Sequence, residues 1–179
     1  MTFTKVSDTE LFQGFRFTVH RVDYRAPDGT EFDRHVVHHP GAVAVVPLHD
    51  DGTVTLVRQF RAALDADLLE LPAGLRDVEG EQDERTAERE LIEEAGLAAE
   101  HMELLVTFHN SPGYCDESVS VYLATGLRQV AEDRQGVEEQ HMTIERLALA
   151  DALAMVDDGR ITDAKTIIGL TLVATRRRT

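Results

Sequence analysis

The segment from Gly74 to Leu97 carries more negative charge than a plain helix tolerates, and it constrains the fold more than any other part of the chain. Residues 84–95 predict a helix, and Gly96 is well suited to end it. Apolar positions recur every fourth residue along this helix, at Ala87, Leu91 and Ala95. This spacing predicts one face packed against a core.

Three glutamates occupy another face of the predicted helix, at positions 90, 93 and 94. Like charges at this spacing destabilise a helix by about 0.2–0.5 kcal/mol per pair. Glu93 and Glu94 also lie in the last turn, where the helix dipole disfavours anions. A hard divalent cation would reverse both penalties, because carboxylate oxygens are the ligands it prefers. The alternative from charge alone is a solvated acidic face.

The remaining pattern predicts an α/β protein. An N-terminal hairpin is expected from residues 14–25 and 31–39, which flank a turn with Pro27 and Gly29. Further strands are expected at 41–48, 53–60, 68–71, 102–109 and 117–126, with a weak one at 142–146, and helices at 149–158 and 162–176. Strands on both sides of an internal helix indicate a mixed sheet covered on two faces.

The charge balance restricts the partners of the chain. There are 33 Asp and Glu against 18 Lys and Arg, giving a formal net charge of -15. Such a field repels nucleic acid and anionic membranes, so neither is expected as a partner. It also repels phosphate esters, so cations would have to mediate their binding. With one cysteine, Cys115, and no apolar stretch of about 18 residues, the chain is expected to be cytoplasmic and without internal disulfides.

The glutamates belong to a longer pattern. Glu81 is followed, after seven residues, by Arg89-Glu90-Leu91-Ile92-Glu93-Glu94-Ala95-Gly96-Leu97. This run resembles the Nudix box of the Nudix hydrolases and matches the second half of its consensus at every fixed position. Six residues, and not five, separate Gly74 from Glu81. The loop before the helix is therefore one residue longer than in the consensus, while the helix spacing is unchanged.

The resemblance implies a fold and an organisation. The fold is the Nudix α/β/α sandwich with a mixed central sheet, preceded by an N-terminal antiparallel β-hairpin region. Residues 1–40 would form that region and residues 41–179 the Nudix hydrolase domain. In dimeric bacterial relatives the N-terminal region is exchanged between subunits, so the resemblance also implies a homodimer.

The resemblance assigns roles to the residues of the box. Glu90 and Glu94 would be the main ligands of Mg²⁺, or of Mn²⁺ in its place. The backbone carbonyl of Ala73 would complete the metal site, and Glu93 would be a further ligand or would position water. Glu81 and Arg89 would form a structural pair between loop and helix. The general base would be a loop glutamate, with Glu139 favoured over Glu138.

Features outside the box resemble ADP-ribose pyrophosphatases. Glu70-Leu71-Pro72-Ala73-Gly74 leads into the box, and Pro112 lies fifteen residues beyond Leu97. The implied reaction is Mg²⁺-dependent hydrolysis of ADP-ribose to AMP and ribose 5-phosphate by metal-activated water. The implied substrate-binding residues are Arg34, Arg61, Glu70, Ser111, Pro112 and Glu117.

Other hypotheses stay open at this point. The same chemistry could act on GDP-mannose, another nucleoside diphosphate sugar, a dinucleotide or an oxidised nucleotide. A sensor that binds ADP-ribose without hydrolysing it is the alternative from another class. His35, His38 and His39 cluster in sequence, but they have no Cys or carboxylate at ligand spacing, so a transition-metal site is not predicted.

Overall fold

Residues 4–38 form an antiparallel three-stranded sheet in a computed structural model, which describes residues 2–131 and 140–177. Its strands are β1 (Thr4–Gln13), β2 (Thr18–Arg25) and β3 (Glu31–His38), with β2 in the centre. The predicted hairpin is therefore β2 and β3, and the prediction missed β1. The pairing of β1 with β2 shifts register between Lys5 and Ser7 and again between Glu10 and Phe12. These irregularities break the alternation by which a strand is detected in sequence.

The N-terminal sheet belongs to a compact unit that contains residues up to Gly41 together with Phe108–Ser118. The second segment runs beside β3, where the Val37 N–H donates to the Tyr114 carbonyl at 2.7 Å and the Asp116 N–H to the Val37 carbonyl at 3.1 Å. The sequence-based division at residue 40 did not include this segment. It is attached by backbone hydrogen bonds between residues that are more than seventy positions apart in the sequence, and no local pattern reveals such bonds.

The second compact unit contains Ala42–Thr107 and the residues from Val119 onwards. The strands after Gly41 are β4 (Ala42–Pro47), β5 (Thr53–Arg61), β6 (Ala66–Glu70), β7 (Ala73–Leu75), β8 (Leu97–Ala98), β9 (His101–His109), β10 (Ser118–Thr125), β11 (Arg128–Gln129) and β12 (Thr143–Ala148). β4 is parallel to β10 and antiparallel to β7, so the sheet in the order β7-β4-β10-β9 is mixed, as predicted. A second sheet has the order β12-β5-β6, and β8 pairs with β11.

Both faces of the β4–β10 pair are covered by helices. Helix α1 (Asp83–Ala95) packs on one face, in a buried apolar cluster of Val43, Val45, Ala87, Leu91, Ala95, Leu97, Tyr122 and Ala124. The other face meets helix α3 (Ala164–Arg176), where a Cβ on Gly169 would lie 2.8 Å from the side chains of Val46 and Leu71. Val45 and Val46 are consecutive in β4 and point to opposite faces. The predicted α/β/α sandwich is thereby confirmed.

Two helices follow β12, as the sequence predicted. Helix α2 covers Leu149–Asp157, and α3 begins at Ala164, two residues later than expected. The Asp163 carboxylate accepts from the Thr166 N–H at 2.9 Å and caps α3, which explains this start. Among the described residues, no helix is both long enough and apolar enough to cross a membrane.

Candidate active site

Helix α1 carries a buried polar line beside its apolar face. Thr86, Glu90 and Glu94 are spaced four residues apart and are buried, with 7% of Glu90 and 4% of Glu94 exposed. The helix ends at Gly96, whose φ of 61° is left-handed and whose N–H bonds back to the Ile92 carbonyl. Two carboxylates are therefore held inside the protein on one helix, where burial without compensating partners costs free energy.

The strand before the box comes very close to these carboxylates. The Ala73 N–H donates to Glu94 Oε2 at 2.9 Å. A Cβ built on Gly74 would lie 1.9 Å from Glu90 Cδ, so a side chain at position 74 and the present position of the Glu90 carboxylate exclude each other. The glycine at the start of the Nudix-like pattern is thus explained by close packing, since only glycine leaves room for the carboxylate.

Arg89 connects the loop and the helix. Its Nη1 donates to Glu90 Oε1 at 2.7 Å and to Glu93 Oε2 at 3.0 Å, while its Nη2 donates to Glu81 Oε2 at 3.3 Å. Burial alone would lower the pKa of Arg89, but the charges of Glu90, Glu81 and Glu93 outweigh burial and raise it. This guanidinium therefore stays charged and holds three carboxylates in place, beyond the single Glu81 pair that the resemblance implied.

The residues that the resemblance names for a metal offer oxygen atoms. Glu90, Glu93 and Glu94 each carry a carboxylate on α1, and Ala73, whose N–H donates to Glu94 Oε2, carries a backbone carbonyl. An all-oxygen set with several negative charges fits Mg²⁺ or Mn²⁺ and does not favour metals that select imidazole or thiolate. The structure places Ala73 against Glu94 and Gly74 against Glu90, and the chemistry of these residues fits the predicted metal.

A second charged network lies at the end of β6. The side chain of Glu70 is 1% exposed, and its two oxygens accept from Arg61 Nε and Nη2, each at 2.6 Å. Lys165 of α3 also donates to Glu70 and lies 2.9 Å from Asp163 Oδ1. Glu70 and Arg61 were predicted to bind substrate. Because the Glu70 carboxylate is buried and bonded by two cations, its geometry favours a positioning role.

The start of α3 also holds the backbone that leads to the predicted metal residues. The Leu71 N–H donates to Thr166 Oγ1 at 2.8 Å, and that hydroxyl donates to Asp163 Oδ2 at 2.6 Å. Lys165 and Thr166 therefore bind the segment just before Ala73, and Asp163 holds both of them in place. The sequence did not reveal these roles, because Lys165 and Thr166 lie 95 residues from Glu70 and Leu71 and match no short motif.

Replacing Glu70 with Gln should destabilise the protein in a pH-dependent manner. Burial would raise the pKa of Glu70, but the hydrogen bond from Arg61 and the charge of Lys165 hold it below its ordinary 4.5. The carboxylate therefore stabilises the fold fully above pH 4.5, and this contribution is lost as the pH falls through the lower folded-state pKa. Near neutral pH the free energy of unfolding should fall by about 3 kcal/mol, because Arg61 and Lys165 lose the negative charge to which both are bonded.

Urea denaturation over a range of pH measures this effect, and Glu145→Gln is the matched control. Glu145 accepts from Arg58 Nε at 2.6 Å, but that pair is partly exposed on both sides. Such a pair contributes about 0–1 kcal/mol. An equal loss of unfolding free energy in the two variants would contradict the role given to Glu70. So would a loss in Glu70→Gln that does not become smaller at acid pH.

The other predicted binding residues lie in the first compact unit. Arg34 and Pro112 line one cavity of about 420 Å³, together with Phe3, Tyr24, Phe32, Val36, Gly113, Tyr114, Cys115 and Asp116. The Arg34 guanidinium carbon lies 4.8 Å from the centroid of the Phe32 ring, and the Tyr24 and Phe32 rings stack at 5.6 Å. The fold thus brings Arg34 and Pro112 together beside aromatic rings.

Ser111 and Glu117 flank that cavity in sequence. The Ser111 carbonyl closes a turn by accepting from the Cys115 N–H at 2.9 Å. Glu117 Oε2 accepts from Asn110 Nδ2 at 2.7 Å. Glu138 and Glu139, the predicted general bases, lie outside the described residues.

Comparison with known proteins agrees with this geometry. The NUDIX domain model matches residues 38–168. An ADP-ribose pyrophosphatase of Mycobacterium tuberculosis (strain ATCC 25618 / H37Rv) is 43% identical over 96% of this chain and 83% of its own. An ADP-ribose pyrophosphatase of Bacillus subtilis (strain 168) is 37% identical over 90% of this chain and 86% of its own.

A solved structure supports the fold independently. The crystal structure of an ADP compounds hydrolase aligns with a TM-score of 0.87 over 99% of this chain and 95% of its own. At 23% identity, this likeness supports the fold alone. The domain match covers most of the chain, and it includes the glutamate helix and the strand that packs against it. This chain therefore belongs to the NUDIX domain family.

Proposed function

We propose that this Nudix protein hydrolyses the pyrophosphate bond of ADP-ribose and releases AMP and ribose 5-phosphate. The observation that carries the proposal is the buried pair Glu90 and Glu94, held against Ala73 and Gly74. The two ADP-ribose pyrophosphatases that resemble almost the whole chain indicate the substrate. The net charge of -15 agrees with a reaction in which cations mediate the binding of a diphosphate.

We assign the metal to Glu90, Glu94 and the Ala73 carbonyl, with Glu93 as a further ligand. Mg²⁺, or Mn²⁺ in its place, supplies charge neutralisation for the diphosphate and lowers the pKa of water. Arg89 orients Glu90 and Glu93 through the bonds described above, so the carboxylates are positioned before substrate arrives. Preorganised charge of this kind accounts for much of the rate in phosphate chemistry.

The remaining roles follow from the family and from the first compact unit. Glu139, with Glu138 as the alternative, takes a proton from the attacking water. The aromatic cavity with Arg34 and Pro112 suits a nucleoside base, because a guanidinium and aromatic rings both stack on bases. Ser111 and Glu117 are proposed as polar contacts to the nucleoside. The cytoplasmic location stays a prediction.

We also propose that the protein is a homodimer formed through its N-terminal region. Several large apolar side chains of that region are exposed: Phe3, Val6, Leu11, Phe12, Phe15 and Phe17. Exposed apolar side chains on a sheet whose edge strand β1 is open suit a second copy of the chain. Light scattering at micromolar concentration measures the mass, and a monomer would overturn this assignment.

A substrate panel tests the proposed function. ADP-ribose, GDP-mannose, a dinucleoside polyphosphate and an oxidised nucleotide are incubated with the protein and Mg²⁺, and products are separated by chromatography. We expect ADP-ribose to give the highest kcat/KM, with AMP and ribose 5-phosphate in equal amounts. GMP release from GDP-mannose as the main activity would favour the nucleotide-sugar alternative. Binding of ADP-ribose without turnover would favour the sensor.

A further inference from the structure

Three strands of the N-terminal sheet bring an aspartate and two histidines to the same face. In the register of this sheet, Glu10 pairs with His20 and Thr18 pairs with His38. Paired residues share a face, and so do residues two apart along a strand. Asp8 is two residues from Glu10, and His20 is two residues from Thr18. Asp8, His20 and His38 therefore project from one face of β1, β2 and β3.

The three side chains are close enough to share one ion. One carboxylate oxygen of Asp8 and one ring nitrogen of each histidine lie within 4.8 Å of one another. His20 Nδ1 is 2.6 Å from Asp8 Oδ1, and the rings of His20 and His38 meet edge to face with centroids 4.5 Å apart. Small side-chain rotations would bring these atoms to the roughly 2.0–2.2 Å at which imidazole and carboxylate ligands bind Zn²⁺.

A further carboxylate orients His38 in the way that metal-binding histidines require. His38 Nδ1 lies 2.5 Å from Asp116 Oδ2, and the other oxygen of Asp116 accepts from the His39 N–H at 2.9 Å. This bond occupies one nitrogen of the imidazole and leaves Nε2 for a ligand. Histidines that bind metals usually have such a carboxylate or carbonyl on the second nitrogen.

The chemistry of the cluster selects a metal class. Two imidazoles and one carboxylate suit Zn²⁺ and neighbouring divalent transition metals, whereas Mg²⁺ selects oxygen ligands. Glu10 and Asp116 add negative charge, with Glu10 Oε2 3.9 Å from His20 Nε2. We propose that Asp8, His20 and His38 form a second metal site, specific for Zn²⁺-type ions and different in chemistry from the glutamate cluster of the Nudix box.

Such a site would join the three N-terminal strands, which otherwise have long exposed segments. β1 is exposed along almost its whole length. An ion bound only by the folded sheet stabilises it by mass action. The competing interpretation is two hydrogen-bonded pairs, His20 with Asp8 and His38 with Asp116, that need no metal.

Metal titration of the whole protein tests the proposal. Zn²⁺ binding is measured by calorimetry, and Co²⁺ binding by its visible absorption, in the Glu94→Gln variant so that the Nudix cluster competes less. We expect one Zn²⁺ per chain, retained in excess Mg²⁺. His38→Gln should weaken binding by more than about 100-fold, and Asp116→Ala by about 10–100-fold, the range for residues that orient a ligand.

His35→Ala is the matched control, because His35 is exposed on the opposite face of β3 and should leave Zn²⁺ affinity unchanged. His20→Gln is a second test of the site, and circular dichroism checks that each variant keeps its sheet. Equal Zn²⁺ affinity in folded Glu94→Gln protein with and without the His38→Gln change would overturn the proposal. Displacement of the bound Zn²⁺ by Mg²⁺ would overturn it as well.

Discussion

Glu94→Gln should lower ADP-ribose turnover by about 10³-fold or more, because a metal ion contributes several kcal/mol to stabilisation of the transition state. The substitution removes one negative charge from the pair that we propose holds Mg²⁺. It keeps a carbonyl oxygen that can still accept the Ala73 N–H, now bonded to Glu94 Oε2 at 2.9 Å. The fold should therefore survive, and the loss should be in kcat.

The measurement is turnover at saturating Mg²⁺ and ADP-ribose, together with thermal unfolding. Glu88→Gln is the matched control, since Glu88 lies on the same helix and pairs with exposed Arg85 at 2.6 Å. The control removes the same charge and should keep nearly all activity. Wild-type turnover in Glu94→Gln would refute the metal assignment.

Gly74→Ala is the second variant with a large expected effect. The new Cβ would overlap the Glu90 carboxylate, whose Cδ lies 1.9 Å from its position. That carboxylate is the end of a flexible side chain and can move away, so the free energy of unfolding should change little. Turnover should fall by about 10²-fold, the cost of displacing a catalytic group by roughly 1 Å.

Two comparisons separate displacement of Glu90 from general damage to the loop. Gly80 has a φ of 78° and open space around it, so Gly80→Ala adds backbone strain of about 1–2 kcal/mol without touching the site. It should lose stability and keep its turnover. Gly74→Ala combined with Glu90→Gln should be no slower than Glu90→Gln alone, because both changes remove the same interaction. Additive losses would contradict the packing explanation.

The elements that sequence predicted well are those with a local signal. Helix α1 was expected at 84–95 and is found at Asp83–Ala95, because its apolar spacing and its glycine stop are both contained in the helix. The apolar run 41–48 became buried β4, for the same reason. The short strands β7 and β8 were missed. They have only three and two residues, which is too few to show the alternation of apolar and polar residues that marks a strand.

The site was predictable where a motif fixed the spacing of its residues. The Glu90–Glu94 interval follows from the helix, but the approach of Gly74 to Glu90 depends on the pairing of β7 with β4. The bond between Glu70 and Lys165 joins a strand to a helix 95 residues away, and the bond between Asp8 and His20 joins two paired strands. Such contacts depend on sheet register and helix docking, which a single sequence does not specify locally.

The dependence of the segment before Ala73 on the start of α3 has a consequence for biosynthesis. Glu70 and Leu71 find their partners, Lys165 and Thr166, ninety-five residues further along the chain. Because the ribosome makes the chain from its N-terminus, the glutamate helix exists well before the backbone beside it is held in place. Catalytic competence should therefore appear only after the start of α3 has been synthesised.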